Sequence, residues 1–122
     1  MAVATKRAPQ KYAPFVRLLS SKREELLDRL GDDREAVLAE RVPDDSLGLA
    51  SRTLLEDLAI GTLQRDQQLL REVEAALARL EEGAFSVCER CREEIPGRRL
   101  KALPWTRLCL RCAERRQALS LN

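Results

Sequence analysis

The chain has 122 residues, which suits one domain or one elongated element that carries a small module. Aromatic residues make up 3% and charged residues 34% of the sequence, a composition that argues against a thick globular core and favours long helices with much surface. The net charge of +2 is uneven, because residues 31–57 hold eight acids and three arginines whereas residues 88–122 hold nine bases and four acids. We therefore expect a partner whose surface carries both signs of charge, rather than nucleic acid alone.

A flexible, basic arm is predicted at residues 1–11, where little can be buried. The arm lacks the apolar stretch of a secretory signal, and no apolar run approaches the roughly 18 residues of a membrane span. We therefore expect a cytoplasmic protein that does not associate with membranes and is a monomer. In a reducing compartment, four cysteines are more often metal ligands than disulfides.

The first helix is predicted to run from Tyr12 to about Glu40. Its apolar residues recur at steps close to multiples of 3.5, as in an amphipathic helix: Tyr12, Phe15, Leu19, Leu26, Leu30 and Val37. Gly31 is followed by two aspartates, and glycine costs about 1 kcal/mol in a helix interior while an aspartate can cap a restarted helix. The sequence therefore predicts a kink or short break at Gly31.

A turn is predicted at residues 41–51, where proline, glycine, aspartate and serine cluster. The second helix should begin near Ser46 or Ser51 and end at about Glu82. One set of positions recurs at alternating steps of three and four, which is the seam of a coiled coil: Glu56, Ala59, Leu63, Asp66, Leu70, Val73, Leu77 and Leu80.

The two helices are predicted to form an antiparallel hairpin over residues 12–82, with an arm of about 45 Å at 1.5 Å per residue. Its acidic tip would be residues 41–51. A simpler interpretation is that the repeat forms only a rod, with the acids of the tip serving as helix caps.

Two C-x-x-C pairs follow the hairpin, separated by seventeen residues: Cys88, Cys91, Cys109 and Cys112. Pairs with this spacing let two tight turns direct four sulfurs at one zinc ion, with no open position for water, so we expect one structural Zn²⁺. The zinc module with a C-terminal helix, residues 83–122, has few large apolar side chains and needs such support. Two disulfides, a redox pair and an iron–sulfur cluster are the alternatives.

Neighbouring arginines can offset the formal charge of −2 on a zinc ion with four thiolates. Arg90, Arg92 and Arg111 are the candidates. An enzyme is not expected, because the chain has no histidine, no nucleophile with a visible base, and a metal site without an open position.

The stretch "LEEGAFSVCERCREEIPGRRLKALPWTRLCLRC", residues 80–112, resembles the DksA/TraR family of bacterial transcription regulators. The residues that match the family pattern, besides the four cysteines, are Phe85, Ile95, Arg99, Leu100, Ala102 and Pro104. The resemblance extends over about residues 12–120. It implies a mainly α-helical protein, with a long hairpin before the zinc module, that binds RNA polymerase directly and needs no specific DNA sequence. The zinc module would hold the rim of the polymerase secondary channel while the hairpin enters it.

The resemblance also implies partner-binding residues. The Asp-x-x-Asp-x-Ala tip of the family aligns with Asp45, Gly48 and Ala50, so one acid is missing, and Asp44 is a neighbouring candidate. Arg65 aligns with a family arginine that faces polymerase, and we also expect Arg115 and Arg116 to contact it.

Dependence on guanosine tetraphosphate is not expected. Basic family positions that hold this ligand align with Glu72, Leu103 and Ala113, which offer no positive charge to a phosphate-rich ligand. Nearby arginines would replace them only with a different local geometry: Arg71, Arg107 and Arg111.

Two other classes of function remain open. A nucleic-acid-binding zinc ribbon would use the C-terminal arginines against phosphates, although Trp105 is the one aromatic residue available there for stacking and is more often a packing residue behind a zinc site. A structural adaptor would pair its hairpin with another coiled coil, which a seam exposed on both sides of the hairpin would favour.

Overall fold

The computed structural model describes residues 10–40 and 48–121. A single 3₁₀ turn, Gln10–Tyr12, precedes four α-helices, which are α1 (Ala13–Glu40), α2 (Leu49–Glu82), α3 (Gly97–Ala102) and α4 (Leu110–Leu121). An isolated antiparallel bridge joins Val87 and Glu94 between α2 and α3. The predicted fold class is confirmed: a long helical hairpin is followed by a small four-cysteine module and a short C-terminal helix.

Parts of two predicted segments lie outside the described residues. These are residues 1–9 of the arm and residues 41–47 of the tip. The last three residues of the predicted tip are already helical, since α2 begins at Leu49 and the backbone N–H of Arg52 donates to the carbonyl of Gly48 at 3.1 Å. None of the described helices combines the length and the hydropathy that crossing a membrane requires.

The predicted break at Gly31 is wrong, because α1 is continuous from Ala13 to Glu40. Leu30 and Val37, on either side of the expected break, are both buried. Burying large aliphatic side chains contributes roughly 1.5–3 kcal/mol each, which exceeds the cost of about 1 kcal/mol for one glycine in a helix. Tertiary packing therefore overrides the local preference.

The predicted end of the second helix at Glu82 is confirmed. Gly83 follows with φ of +79°, a left-handed conformation that glycine adopts without steric cost. The N–H of Ala84 donates to the carbonyl of Arg79 at 2.9 Å, and the N–H of Gly83 faces the carbonyl of Leu80 at 3.4 Å. This pattern is a Schellman motif, and it satisfies two carbonyls at the end of α2.

The chain divides into two compact units, and each contains a segment of both long helices. We call residues 22–71 the arm unit, and residues 10–21 together with 72–121 the zinc unit. In the arm unit, the buried side chains are Leu26, Leu30, Val37 and Asp66.

The zinc unit has a larger buried set. It takes in two residues from α1, several from the last turns of α2, and many from the cysteine module: Val16, Leu19, Val73, Ala76, Arg79, Leu80, Phe85, Cys88, Ile95, Leu100, Thr106, Cys109 and Cys112. The predicted seam is confirmed at its buried members Asp66, Val73 and Leu80. The core of the molecule is therefore concentrated around the cysteines.

Candidate metal centre and its surroundings

The four cysteines meet at one point of the zinc unit. Their Sγ atoms all lie within 4.8 Å of one another, and Cys91 Sγ is 3.8 Å from Cys109 Sγ. Sulfurs at about 2.3 Å from a tetrahedral zinc ion would be separated by about 3.8 Å, so this donor set fits the ion. The four thiols are free, and a disulfide would need an S–S distance of about 2.05 Å.

The first C-x-x-C pair is shaped by backbone hydrogen bonds. The N–H of Arg92 donates to the carbonyl of Cys88 at 3.0 Å, and the N–H of Cys88 donates to the carbonyl of Glu93 at 2.9 Å. Closing this turn places Arg92 at φ of +66°, a left-handed conformation that is uncommon for residues other than glycine. The adjoining bridge between Val87 and Glu94 anchors the turn, so both sulfurs face the same side.

The second pair is held by the start of α4. Cys112 lies in the first turn of this helix, and the N–H of Ala113 donates to the carbonyl of Cys109 at 2.9 Å. Cys109 and Cys112 are both buried, as is Cys88, whereas Cys91 is half-buried. A site so enclosed, with four sulfur donors, has no position for a substrate or a reactive water, and is structural.

Ionisation is unequal among the thiols. Burial opposes the ionisation of Cys88, but hydrogen bonds from the backbone N–H groups of Cys91, Cys109 and Arg90 outweigh burial and hold the pKa of Cys88 at about 6. Burial, followed by hydrogen bonds with the other thiols, raises the pKa of Cys112 to about 12. Cys88 therefore ionises most readily, and the charge of a metal ion is needed to deprotonate Cys112.

Backbone N–H groups, rather than guanidinium groups, are the donors that stabilise the Cys88 thiolate. Of the three arginines expected to offset the charge of the site, Arg90 supplies one of these N–H groups. Arg111 extends to Glu93, with Nη2 at 3.4 Å from Oε2, in an exposed ion pair.

Arg79 is a residue that the sequence analysis missed. It is 7% exposed near the end of α2, and its Nη2 donates to the carbonyls of Trp105 and Thr106, each at 3.2 Å. Its Nη1 is 3.8 Å from Glu89, which also lies 3.8 Å from Arg107. Burial lowers the pKa of Arg79, although a guanidinium stays charged in proteins. Arg79 thus fixes the loop before the second cysteine pair to α2.

A second arginine supports the same loop. Arg99, which carries part of the family resemblance, donates from Nε to the carbonyl of Leu108 at 2.9 Å. The hydroxyl of Thr106 donates to the same carbonyl at 2.9 Å. Because Leu108 immediately precedes Cys109, both contacts help to set the position of that ligand.

An aromatic cluster packs against the other side of the cysteine module. The ring of Phe85 is 5.3 Å from that of Tyr12 and 5.2 Å from that of Phe15, measured between centroids. The hydroxyl of Tyr12 donates to Ser86 Oγ at 2.9 Å. The beginning of α1 is therefore fixed to the residues that follow α2.

Positions aligned with the alarmone site are separated in the structure. Glu72 and Ala113 line a cavity of about 130 Å³ beside Trp105, together with Arg107 and Arg116. Leu103 instead lines a different groove. Of the three arginines considered as substitutes, only Arg107 reaches this cavity, since Arg111 extends to Glu93 and Arg71 donates to Gln68 at 2.7 Å.

The predicted partner-binding residues lie on exposed surfaces where they are described. Ala50 is exposed in the first turn of α2, and Arg65 is exposed with Nη2 donating to Thr62 Oγ1 at 3.2 Å. Arg115 and Arg116 are exposed on α4. Asp44 and Asp45 lie outside the described residues.

Known proteins resemble both the cysteine module and the fold. Residues 83–118 match the family model of the prokaryotic DksA/TraR C4-type zinc finger. An uncharacterized protein of Aquifex aeolicus is 39% identical over 92 residues, which are 75% of this chain and 59% of that protein. The RNA polymerase-binding transcription factor DksA of Haemophilus influenzae is 38% identical over 55 residues, which are 45% of this chain and 38% of that protein. This chain therefore spans less than two thirds of the length of either relative.

The solved structure of transcription factor DksA2 from Pseudomonas aeruginosa has a TM-score of 0.76 and 28% identity, covering 93% of this chain and 94% of that one. These similarities confirm the predicted family resemblance, and the four cysteines are those of a C4-type finger with one structural zinc ion. Both DksA proteins are named as transcription factors rather than enzymes, in agreement with the prediction that the chain is not an enzyme.

Proposed function

We propose that this chain, whose cysteine module belongs to the DksA/TraR C4-type zinc-finger family, is a bacterial transcription regulator that binds RNA polymerase directly. The observation that carries the proposal is the shared architecture: a long helical hairpin and a four-cysteine module correspond to transcription factor DksA2 over 93% of the chain. The printed name of the Haemophilus relative supplies the partner, RNA polymerase. Such a role belongs to the cytoplasm and requires no membrane association.

In the proposed mechanism the hairpin enters the secondary channel of the polymerase while the zinc module holds the rim. Charge supports this division, because residues 31–57 carry eight acids against three bases and residues 88–122 carry nine bases against four acids. An acidic tip is attracted to an active centre lined with metal ions and basic side chains, and a basic module is attracted to an acidic rim. Regulation then results from contact with the polymerase and needs no DNA sequence.

Individual residues take proposed roles within this mechanism. Asp45, with Asp44 and Ala50, acts at the tip on the polymerase active centre. Arg65 in the arm unit and Arg115 and Arg116 on α4 contact the polymerase, and exposure of these three side chains supports this role. The chain acts as a monomer.

The regulator acts without guanosine tetraphosphate in this proposal. Glu72 contributes a negative charge to the cavity beside Trp105, and Arg107, which also lines it, is already 3.8 Å from Glu89. A ligand with several phosphate groups needs uncommitted positive charge. In a purified transcription assay, adding this nucleotide should change the effect of the protein by less than about twofold; strong synergy would contradict this part of the proposal.

The structure weakens the case for the nucleic-acid-binding alternative. Three of the arginines that would have met phosphates make contacts inside the zinc unit instead: Arg99 with Leu108, Arg107 with Glu89, and Arg111 with Glu93. Trp105, the one aromatic residue available for stacking, is half-buried, and its carbonyl accepts a hydrogen bond from Arg79.

The proposal is tested by measuring binding to purified bacterial RNA polymerase and the effect on transcription in the same samples. Wild-type protein should bind and alter transcription. Asp45→Asn should retain affinity within about threefold and lose most of the effect, whereas Arg65→Ala should weaken binding by roughly tenfold. Asp57→Asn, an exposed acid in α2, is the matched control and should behave as wild type. Absence of binding, or binding of nucleic acid in its place, would reject the proposal.

A further inference from the structure

A groove of about 320 Å³ lies on the zinc unit, away from the cysteines' enclosed centre. It is bounded by the short helix α3 and by the first residue of α4. Its lining consists of Pro96, Arg98, Arg99, Ala102, Leu103 and Leu110. The cavity beside Trp105 shares none of these residues, so the two are separate sites.

Aliphatic side chains form most of this groove and remain accessible to solvent. Leu103 is 37% exposed and Leu110 is 57% exposed. Leu100, on the same short helix, is buried and contributes to the core of the module. Because α3 already has a buried anchor, the exposure of Leu103 and Leu110 is not required to hold the helix in place. Burying both leucines against a partner would contribute favourable free energy.

The charge at this groove has one sign. Residues 97–111 contain five bases and no acid. Arg99 is committed to the carbonyl of Leu108, and Arg107 and Arg111 face Glu89 and Glu93. Within the described part of the chain, Arg98 and Lys101 have no ion-pair partner. Arg98 therefore places uncommitted positive charge at the edge of an aliphatic groove.

We propose that this groove is a docking site for an acidic amphipathic helix of a partner protein, with an aliphatic side chain of that helix between Leu103 and Leu110 and a carboxylate paired with Arg98. The inference rests on the proposed function, and the helix belongs to RNA polymerase. Recognition by an apolar anchor and an adjacent charge is the usual way in which an amphipathic helix fits a groove. Guanidinium groups also pair with carboxylates in a bidentate geometry.

The aliphatic lining favours a protein helix over nucleic acid as the occupant. A phosphate backbone would use Arg98 and Lys101 but would leave Leu103 and Leu110 without an apolar partner. Few interface residues carry most of a binding energy, and these are large side chains in central pockets. Leu110 and Arg98 are the residues of the groove that meet this description.

The test measures the affinity of the full, zinc-loaded chain for purified bacterial RNA polymerase core enzyme. Leu110→Ala and Arg98→Glu should each weaken binding by at least tenfold. Leu119→Ala is the control for the first, since Leu119 is 64% exposed on the same helix, and Arg17→Glu, an exposed cation of α1, is the control for the second. Both controls should bind within twofold of wild type. Zinc content and helical circular dichroism establish that every variant is folded.

A cross-linking experiment then identifies the occupant. A photoreactive phenylalanine analogue at position 103 should cross-link to a polymerase helix that carries acidic residues. Cross-links only to nucleic acid or to a segment without acids would overturn the inference. So would wild-type affinity in both groove variants, which would leave the proposed function intact if the wild-type protein binds. Failure of the wild-type chain to bind would instead reject the proposed function and the inference with it.

Discussion

In the arm unit the buried side chains are three aliphatic residues and Asp66, whereas the zinc unit buries thirteen side chains, among them three cysteines, Phe85 and Arg79. Each unit contains a segment of α1 and a segment of α2, so the difference does not come from the type of secondary structure. It comes from what the helices pack against. Two helices can bury only a narrow strip of each other, whereas the cysteine module adds a third layer of side chains.

Polar residues are also used differently in the two units. In the arm unit, Arg29 Nη2 lies 2.6 Å from Asp66 Oδ1, and the carboxyl group of Asp33 is hydrogen bonded to that of Asp66. In the zinc unit, Arg79 is directed to backbone carbonyls instead. The first arrangement responds to protonation, whereas the second does not, because carbonyls do not titrate. We expect the arm unit to open more readily than the zinc unit with its metal.

Removing the metal should have the largest effect and should reverse this order of stability. A structural zinc ion contributes on the order of 10 kcal/mol to folding. A strong chelator, or Cys112→Ser, should therefore unfold the residues after Cys88 while the arm unit keeps helical circular dichroism. Metal analysis of the purified chain should give one zinc ion per chain. A zinc-free or iron-loaded protein with a folded cysteine module would contradict the assignment.

Arg79→Ala should produce the next largest effect. The substitution leaves the carbonyls of Trp105 and Thr106 buried without their donor, and hydrogen bonds to a charged group contribute about 1.5–3 kcal/mol. We expect the free energy of unfolding by urea to fall by about 3 kcal/mol in the zinc-loaded protein. Arg71→Ala, an exposed arginine of the same helix, should change it by less than about 0.5 kcal/mol. Equal effects of the two variants would show that Arg79 does not hold the loop.

Glycines in the two units should respond oppositely to replacement by alanine. A Cβ atom at Gly31 in the arm unit would meet nothing within 4 Å, so Gly31→Ala should stabilise α1 by about 0.5–1 kcal/mol. Gly83 in the zinc unit has φ of +79°, so Gly83→Ala should destabilise the end of α2 by about 1–2 kcal/mol. Thermal melting at fixed pH and zinc concentration measures both. Changes of the same sign would mean that local conformation does not govern these positions.

Protonation of Asp33 should have the smallest effect, and it should be confined to the arm unit. The hydrogen bond with Asp66, followed by burial, raises the pKa of Asp33 above its ordinary value. A carboxyl group whose pKa is higher in the folded chain stabilises the fold fully below the unfolded pKa of about 3.9, and this contribution is lost as pH rises through the folded pKa. Acidification towards about pH 4 should therefore increase amide protection over residues 26–37.

Substitution of the partner carboxylate tests this origin of the pH dependence. In Asp66→Asn the side-chain amide can donate to Asp33, which favours the charged form of Asp33 and should lower its pKa. Carboxyl ¹³C chemical shifts follow the titration of Asp33 directly. Asp28→Asn, an exposed position of the same helix, should leave the titration unchanged. A titration of Asp33 that is the same in all three proteins would show that Asp66 is not the cause.

Local patterns predicted the elements well. The periodic leucines and the Gly, Pro and Asp cluster predicted two long helices, and the observed bounds of Ala13–Glu40 and Leu49–Glu82 agree within a few residues. Spacing of the cysteines predicted the metal site, because ligands two residues apart must share one turn. The resemblance of residues 80–112 predicted the family that the comparisons then showed.

Other features could not be read from local patterns. Gly31 lies within a continuous helix, Arg79 is buried beside two carbonyls, and Leu103 lines a different surface from Glu72 and Ala113. Each depends on which residues from distant parts of the chain become neighbours.

By itself, then, the amino-acid sequence determined the helices, the turn and the zinc ligands, since their signals lie within a few residues of one another. Only the tertiary structure decided which charged side chains are buried, which are committed to internal contacts, and which stay exposed on a groove. Burial and charge pairing depend on distances between segments far apart in sequence, and no periodicity encodes those distances.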